Sequence, residues 1–211
     1  MNNFPHPPVI VIGAPAGGVN AVLELAPALP RNFPAPILFV QHIGAHRSEL
    51  WKLASARGPN TAVNASDGAV PRPGTIHIAP PDQHMLLDGP VIQLSRGPKE
   101  HHARPAIDPL FRSAALQYGP RAIGVILTGM LADGSAGLRA IKECGGTAVG
   151  QDPADAHAPS MPRSGPGLRR CGPCRAAVGA GAAAARSGQP SGRNCHAAAA
   201  YRPSAGARRQ Q

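Results

Sequence analysis

Four consecutive branched apolar residues, Val9-Ile10-Val11-Ile12, run without a spacer into Gly13-Ala14-Pro15-Ala16-Gly17-Gly18, and helix-forming sequence follows from Val19. A short, wholly apolar run of this kind is suited to a strand buried on both faces, the position strands occupy in parallel sheets. The glycines let the backbone turn sharply and keep Cβ atoms out of the bend. The segment therefore reads as strand, tight turn, helix, the opening unit of an α/β sheet.

Two further runs repeat the signal. Pro36-Ile37-Leu38-Phe39-Val40 ends in Gln41-His42, and Ala122-Ile123-Gly124-Val125-Ile126-Leu127-Thr128 ends in Gly129-Met130-Leu131-Ala132-Asp133-Gly134. Helical stretches are expected over 19–28, 48–56, 109–117 and 135–143. The alternation predicts a doubly wound, mainly parallel sheet with helices on both faces. Around 74–94 the rhythm changes: Thr75-Ile76-His77-Ile78 and Val91-Ile92-Gln93-Leu94 flank the turn signal Asp88-Gly89, which predicts an antiparallel hairpin inserted into the sheet.

The turn after the first strand has the form of a nucleophile elbow, Gly-x-x-x-Gly, with Pro15 where a serine hydrolase carries its nucleophile. Pro15 has neither an Oγ nor an N–H, and its neighbours Ala14 and Ala16 offer no replacement. His42 and Asp133 each lie just past the carboxyl end of a separate predicted strand, where open α/β sheets place their ligands. A nucleophile needs a base within reach, and the base needs a carboxylate to fix its tautomer. Position 15, His42 and Asp133 supply that order, lacking the first oxygen. Asp133 also reads as an N-cap for the helix beginning near Ala136, a role compatible with orienting a base.

These segments resemble the catalytic domain of CheB-type chemotaxis protein-glutamate methylesterases. The resemblance runs from Val9 to about Ser164 and is carried by VIVIGAPAGG (9–18), PILFVQHI (36–43), PGTIHIAPPDQHM (73–85), RPAIDPLFRSAA (104–115) and GVILTGMLADGSAGL (124–138). It implies a serine nucleophile at the position of Pro15, a base at His42, an orienting carboxylate at Asp133 and an oxyanion hole from the backbone N–H groups of Ala16 and Met130. It also implies hydrolysis of glutamate methyl esters, and of the corresponding amides, on the cytoplasmic helices of methyl-accepting chemotaxis receptors. The family's basic loop, N-R-H-R-P, reads His101-His102-Ala103-Arg104-Pro105 here, which alters any substrate contact made from that loop. The receiver domain that precedes many family members is not expected, because the first strand begins at Val9. Pro15 leaves two other readings beside the active enzyme: a silent receptor-binding homologue, and a degraded gene product.

Residues 165–211 differ in kind from the rest. They contain no Asp, Glu, Lys, Ile, Phe, Met or Trp, and are dominated by Ala, Gly, Arg and Pro, as a GC-rich gene reads out of frame. The expected organisation is a methylesterase domain over 1–164 followed by a tail over 165–211 too poor in apolar side chains to fold alone, with C-terminal elements of the sheet lost. The tail's eight arginines carry most of the formal net charge of +10, and without them the balance is 13 basic to 11 acidic residues, or +2. A nucleic-acid binder would place its basic residues on a folded face with stacking aromatics, so no specific nucleic-acid partner is expected.

Cys171-x-x-Cys174 with Cys195-His196 matches no zinc spacing, His101-His102 lacks companion ligands, and no metal site is expected. Nor is a cofactor: 13–18 fits neither G-x-G-x-x-G nor a P-loop, and Val40-Gln41-His42 stands where a dinucleotide site needs an acid. Cys144 reads as an ordinary, partly buried thiol. With no leader before Val9 and no apolar run of membrane-spanning length, the chain is expected to be cytoplasmic and not to insert in a membrane. The oligomeric state is not legible.

Overall fold

The structure is a computed structural model that describes residues 8–14, 18–43, 48–127, 133–151 and 169–171. Its elements follow the chain as β1 (Val9–Ala14), α1 (Gly18–Ala28), β2 (Ile37–Gln41), α2 (Leu50–Arg57), β3 (Thr61–Asn64), β4 (Thr75–Ile78), β5 (His84–Asp88), β6 (Val91–Ser95), α3 (Ile107–Tyr118), β7 (Ala122–Ile126), α4 (Ser135–Glu143), β8 (Thr147–Gln151) and β9 (Arg169–Cys171). Among the described residues seven strands form one sheet in the order β3-β4-β2-β1-β7-β8-β9, and every neighbouring pair is parallel.

Alternation along the central strands divides the core into two layers. Ile10 and Ile12 of β1, with Ile37 and Phe39 of β2, face α1 and α2, where Leu25 and Leu50 pack. Val9, Val11, Leu38 and Val40 point the other way, toward Leu110 and Phe111 of α3 and Ile141 of α4. The expected α/β sheet with helices on both faces is the observed architecture. The predicted helix over 135–143 matches α4, and the other three agree with α1, α2 and α3 to within about a residue or two at each end.

The antiparallel hairpin is present with a different pairing. Val91–Ser95 pairs with His84–Asp88 as a separate two-stranded sheet, whereas Thr75–Ile78 lies between β3 and β2 in the main sheet. Met85 and Leu87 bury the hairpin against α3, and Leu87 N–H donates to Ser113 Oγ at 3.0 Å. Thr75–Ile78 was drawn to the wrong partner because a β4 run of four residues carries no mark of parallel or antiparallel pairing.

Three tail residues depart from the expectation for 165–211: Arg169–Cys171 extend the sheet as β9, parallel to β8. The other residues of the tail lie outside the described residues. Cys144, which caps the carboxyl end of α4, is buried and forms half of a disulfide rather than the free thiol expected. Pairing depends on which cysteines come within bonding reach in space, and sequence spacing does not reveal that. Among the described residues no helix is long and apolar enough to cross a membrane.

Candidate active site

β1 lies between β2 and β7, and the chain moves to opposite sides of β1 to make them. The carboxyl ends of β1 and β7 therefore form a topological switch point, the crevice in which open α/β sheets bind ligands. His42 leaves the end of β2 directly, position 15 follows β1, and Asp133 stands between β7 and α4. Pro15, Ala16 and Met130 lie outside the described residues, so the nucleophile position and both expected oxyanion donors carry no geometry here.

The other two expected site residues meet across 91 positions of sequence. His42 Nε2 is 2.6 Å from Asp133 Oδ2; the histidine side chain is 13% exposed and the aspartate fully buried. Asp133 is held from a second side by α3. Ile107 N–H donates to its Oδ2 at 2.7 Å and Asp108 N–H to its Oδ1 at 2.9 Å. Burial pushes the Asp133 carboxyl up, but the hydrogen bond from His42 and those from the two backbone N–H groups outweigh it and leave the carboxyl below its ordinary value. A carboxylate fixed in that way accepts a hydrogen bond from Nε2–H and leaves Nδ1 as the ring nitrogen able to take up a proton.

The role of Asp133 as a cap differs from expectation. The N-cap of α4 is Gly134, with a left-handed backbone and no side-chain cap bond, and Asp133 instead satisfies the first N–H groups of α3. An anion there also meets the positive end of the helix dipole. Close approach makes this possible: a Cβ on Gly13 would fall 2.5 Å from Cγ2 of Ile107.

A second histidine–carboxylate pair was not anticipated. His101 Nε2 lies 3.1 Å from Oδ2 of Asp108, which is 1% exposed, and Asp108 Oδ1 accepts Gly137 N–H at 2.6 Å. Burial, above all, raises the Asp108 carboxyl, the nearby Asp133 charge adds to the rise, and the Gly137 N–H opposes it. His101 and His102 occupy left-handed backbone in a tight turn closed by mutual N–H···O bonds between Glu100 and Ala103. Nothing in the sequence signals this pair, since His101-His102 reads as lacking companion ligands and Asp108 carries no expected role.

The loop leading into α3 is pinned by side chains. Arg104 donates from Nε and Nη2 to Asp82 Oδ1 and from Nη1 to the carbonyls of Arg96 and Gly97. His84 donates from Nε2 to Pro98 O and accepts Ala106 N–H at Nδ1, which fixes its neutral tautomer.

His101, Asp108 and Asp133 offer ligand atoms within 4.8 Å of one another, the one such group among the described residues. Both oxygens of Asp133 and one of Asp108 already accept backbone N–H groups, so the cluster is organised as a hydrogen-bonded array rather than around a cation.

The comparisons with known proteins bear on the family and the fold. The family model described as CheB methylesterase matches residues 10–166. This chain belongs to the CheB methylesterase family. It is 42% identical over 157 residues to a Leptospira interrogans protein named for protein-glutamate methylesterase and protein-glutamine glutaminase activity, covering 74% of this chain and 81% of that one. It is 41% identical over 162 residues to the protein-glutamate methylesterase FrzG of Myxococcus xanthus, covering 75% of this chain and 48% of the relative. The crystal structure of the Thermotoga maritima CheB methylesterase catalytic domain superposes with a TM-score of 0.79 at 30% identity, covering 84% of this chain and 99% of that domain. Membership places the chain among carboxylic ester hydrolases by family.

Proposed function

We propose that this domain is built for hydrolysis of glutamate methyl esters, and of glutamine side-chain amides, on the cytoplasmic helices of methyl-accepting chemotaxis receptors, and that Pro15 withholds the attacking atom. The observation that carries the proposal is the 2.6 Å bond between His42 and a fully buried Asp133 at the switch point of the sheet. A base so oriented, at the end of a strand paired with β1, is the arrangement acyl transfer needs.

In the protein carrying Pro15→Ser, the new hydroxyl attacks the γ-carbonyl while His42 takes its proton at Nδ1. The carbonyl oxygen becomes an oxyanion facing the backbone N–H groups of Ala16 and Met130, donors that do not depend on side-chain identity. Collapse of the tetrahedral intermediate breaks the ester C–O bond, and the imidazolium protonates the departing methoxide to give methanol. Water, deprotonated by His42, then attacks the acyl-enzyme; the acyl C–Oγ bond breaks, the imidazolium returns the proton to the serine oxygen, and the glutamate carboxylate is released. Asp133 holds the ring and stabilises its cation throughout. No cofactor is required.

With Pro15 in place the first step has no nucleophile, and a second reading follows from the same residue: a domain that docks on receptors without turning over. A cytoplasmic location accords with either. The test is methanol release from methylated receptor by the chain as it stands and by Pro15→Ser. Activity in the variant with little in the parent supports the proposal. Turnover by the parent within about tenfold of the variant overturns it, since removal of a triad nucleophile costs on the order of 10⁶ in kcat.

A further inference from the structure

Asp108 and Asp133 cap each other's helices. Asp133 leads into α4, yet both its oxygens accept N–H groups from the first turn of α3. Asp108 belongs to the first turn of α3, yet its Oδ1 accepts the N–H of Gly137 in the first turn of α4. The Asp108 backbone N–H is thus held by Asp133 while the Asp108 side chain holds the chain four residues beyond Asp133, closing a ring of hydrogen bonds between the helix ends. Gly137 is needed at the crossing: a Cβ there would collide with Cβ of Phe111 and lie 3.0 Å from Asp108 Oδ1. On the far side of the ring Asp133 holds His42.

We infer that Asp108 is a positioning residue for the His42–Asp133 pair, gripping α4 through Gly137 so that Asp133, and with it the His42 imidazole, is held in one place. The inference rests on reading that pair as the base and its orienter. The groups facing Asp108 are His101 from the loop ahead of α3, Asp133 and Gly137 from the start of α4, and Arg112 from its own helix. His101, 39% exposed, partners the second oxygen, so the Asp108 side chain is fixed at both ends. A carboxylate with one oxygen on each of two elements transmits a displacement of either to the other, and a misplaced orienting group lets a histidine exchange tautomers.

The experiment uses the full chain with Pro15 unchanged, labelled with ¹⁵N, so that its outcome is independent of whether the domain turns over any ester. Imidazole ¹⁵N spectra give the tautomer of His42, assigned by loss of its signals in His42→Gln, and saturation transfer gives the exchange rate of its Nε2 proton with water. Asp108→Ala is expected to speed that exchange by about tenfold or more, the effect of losing a charge-assisted hydrogen bond, and to mix the tautomers. Asp108→Asn keeps an oxygen for Gly137 N–H and is expected to stay within about twofold of the parent. Ser113→Ala removes another buried hydrogen bond of α3, to Leu87 N–H, without touching either carboxylate; it should lower Tm and leave His42 as it was.

The inference is overturned if Asp108→Ala lowers Tm while His42 keeps its tautomer and exchange rate, if Ser113→Ala disturbs His42 equally, or if Asp108→Asn disturbs it as much as Asp108→Ala. Should Asp108→Ala fail to fold, Asp108→Ser, whose shorter side chain draws the acceptor away from Gly137, is read in its place with the same expectation. Methanol release by Pro15→Ser tests the catalytic reading separately.

Discussion

Ile107 packs its side chain onto the bare backbone of Gly13, so close that a Cβ at position 13 would lie 2.5 Å from Cγ2 of Ile107 and 2.8 Å from its Cδ1. The contact sets the first residue of α3 against the end of β1, and from there Ile107 N–H reaches Asp133. Gly13→Ala must push α3 away or twist Ile107 off its rotamer. Overpacking of this kind costs about 1–3 kcal/mol, or a fall in Tm of roughly 2–4 °C per kcal/mol in a chain of this size. Differential scanning calorimetry measures it. A second consequence is a weaker hold on Asp133, visible as faster exchange of the His42 Nε2 proton.

How much of this was legible in the sequence depended on where each residue's partner lay. β1, β2 and β7 stood out because strands covered on both faces are apolar throughout. β3 did not, since Thr61–Asn64 buries only Ala62 and presents a mixed edge. The first strand of the hairpin was missed because its apolar run is only Met85–Leu87, bounded by His84 and Asp88, and Thr75–Ile78 reads as the strand before the turn instead. His42 and Asp133 were legible as candidates since both follow strand ends. The exchange of caps was not, because its bonds join residues 25 to 29 positions apart and neither aspartate caps its own helix.

Asp133→Asn is expected to damage both stability and the imidazole. An amide can keep one oxygen toward Asp108 N–H, but it then turns its NH₂ toward Ile107 N–H and His42 Nε2, leaving buried donors facing donors. Each unsatisfied buried group costs about 1–3 kcal/mol. With Pro15→Ser also present, kcat for methanol release should fall by about 10⁴ against Pro15→Ser alone, the loss seen when a triad orienter becomes an amide in serine proteases. An Asp133→Asn protein with unchanged Tm and an unchanged His42 tautomer would contradict the geometry.

Acid should act through the same residue. The folded-state carboxyl of Asp133 lies below its ordinary value, so its contribution to stability is present above the unfolded carboxylate range and is lost as pH falls through the folded value. Chemical denaturation between pH 7 and pH 2 is expected to show stability declining on acidification. The decline should be shallower in Asp133→Asn, whose side chain has no proton to gain.

Asp108 carries the opposite sign. Burial raises its carboxyl, so its ionisation opposes folding: the neutral form's advantage is fully present below the unfolded carboxylate range and is lost as pH rises through the folded value. Asp108→Asn retains an acceptor for Gly137 N–H and has no charge to bury. Its Tm relative to the parent should therefore rise with pH across that interval and level off above it. The two aspartates, bonded into one ring, then give opposite pH slopes when each is replaced by its amide, and a parallel response would show that their environments are not distinct.

Pro15→Ser is the most direct of the substitutions and the one whose success depends on all the others. It adds an oxygen at the residue that follows β1, whose two neighbouring strands lead to His42 and to Asp133, the bonded pair proposed as base and orienter. The expected result is methanol release from methylated receptor rising by several orders of magnitude over the parent, toward the factor of about 10⁶ that a triad nucleophile contributes. His42→Gln in the same background should abolish the gain, because an amide cannot take up the hydroxyl proton. Phosphonylation of the new hydroxyl by a fluorophosphonate probe, in which the serine oxygen bonds phosphorus and fluoride leaves, is read by mass spectrometry at residue 15 and separates an assembled nucleophile from a hydroxyl that is merely present. A Pro15→Ser protein that binds receptor but neither labels nor releases methanol would favour the silent, receptor-docking reading.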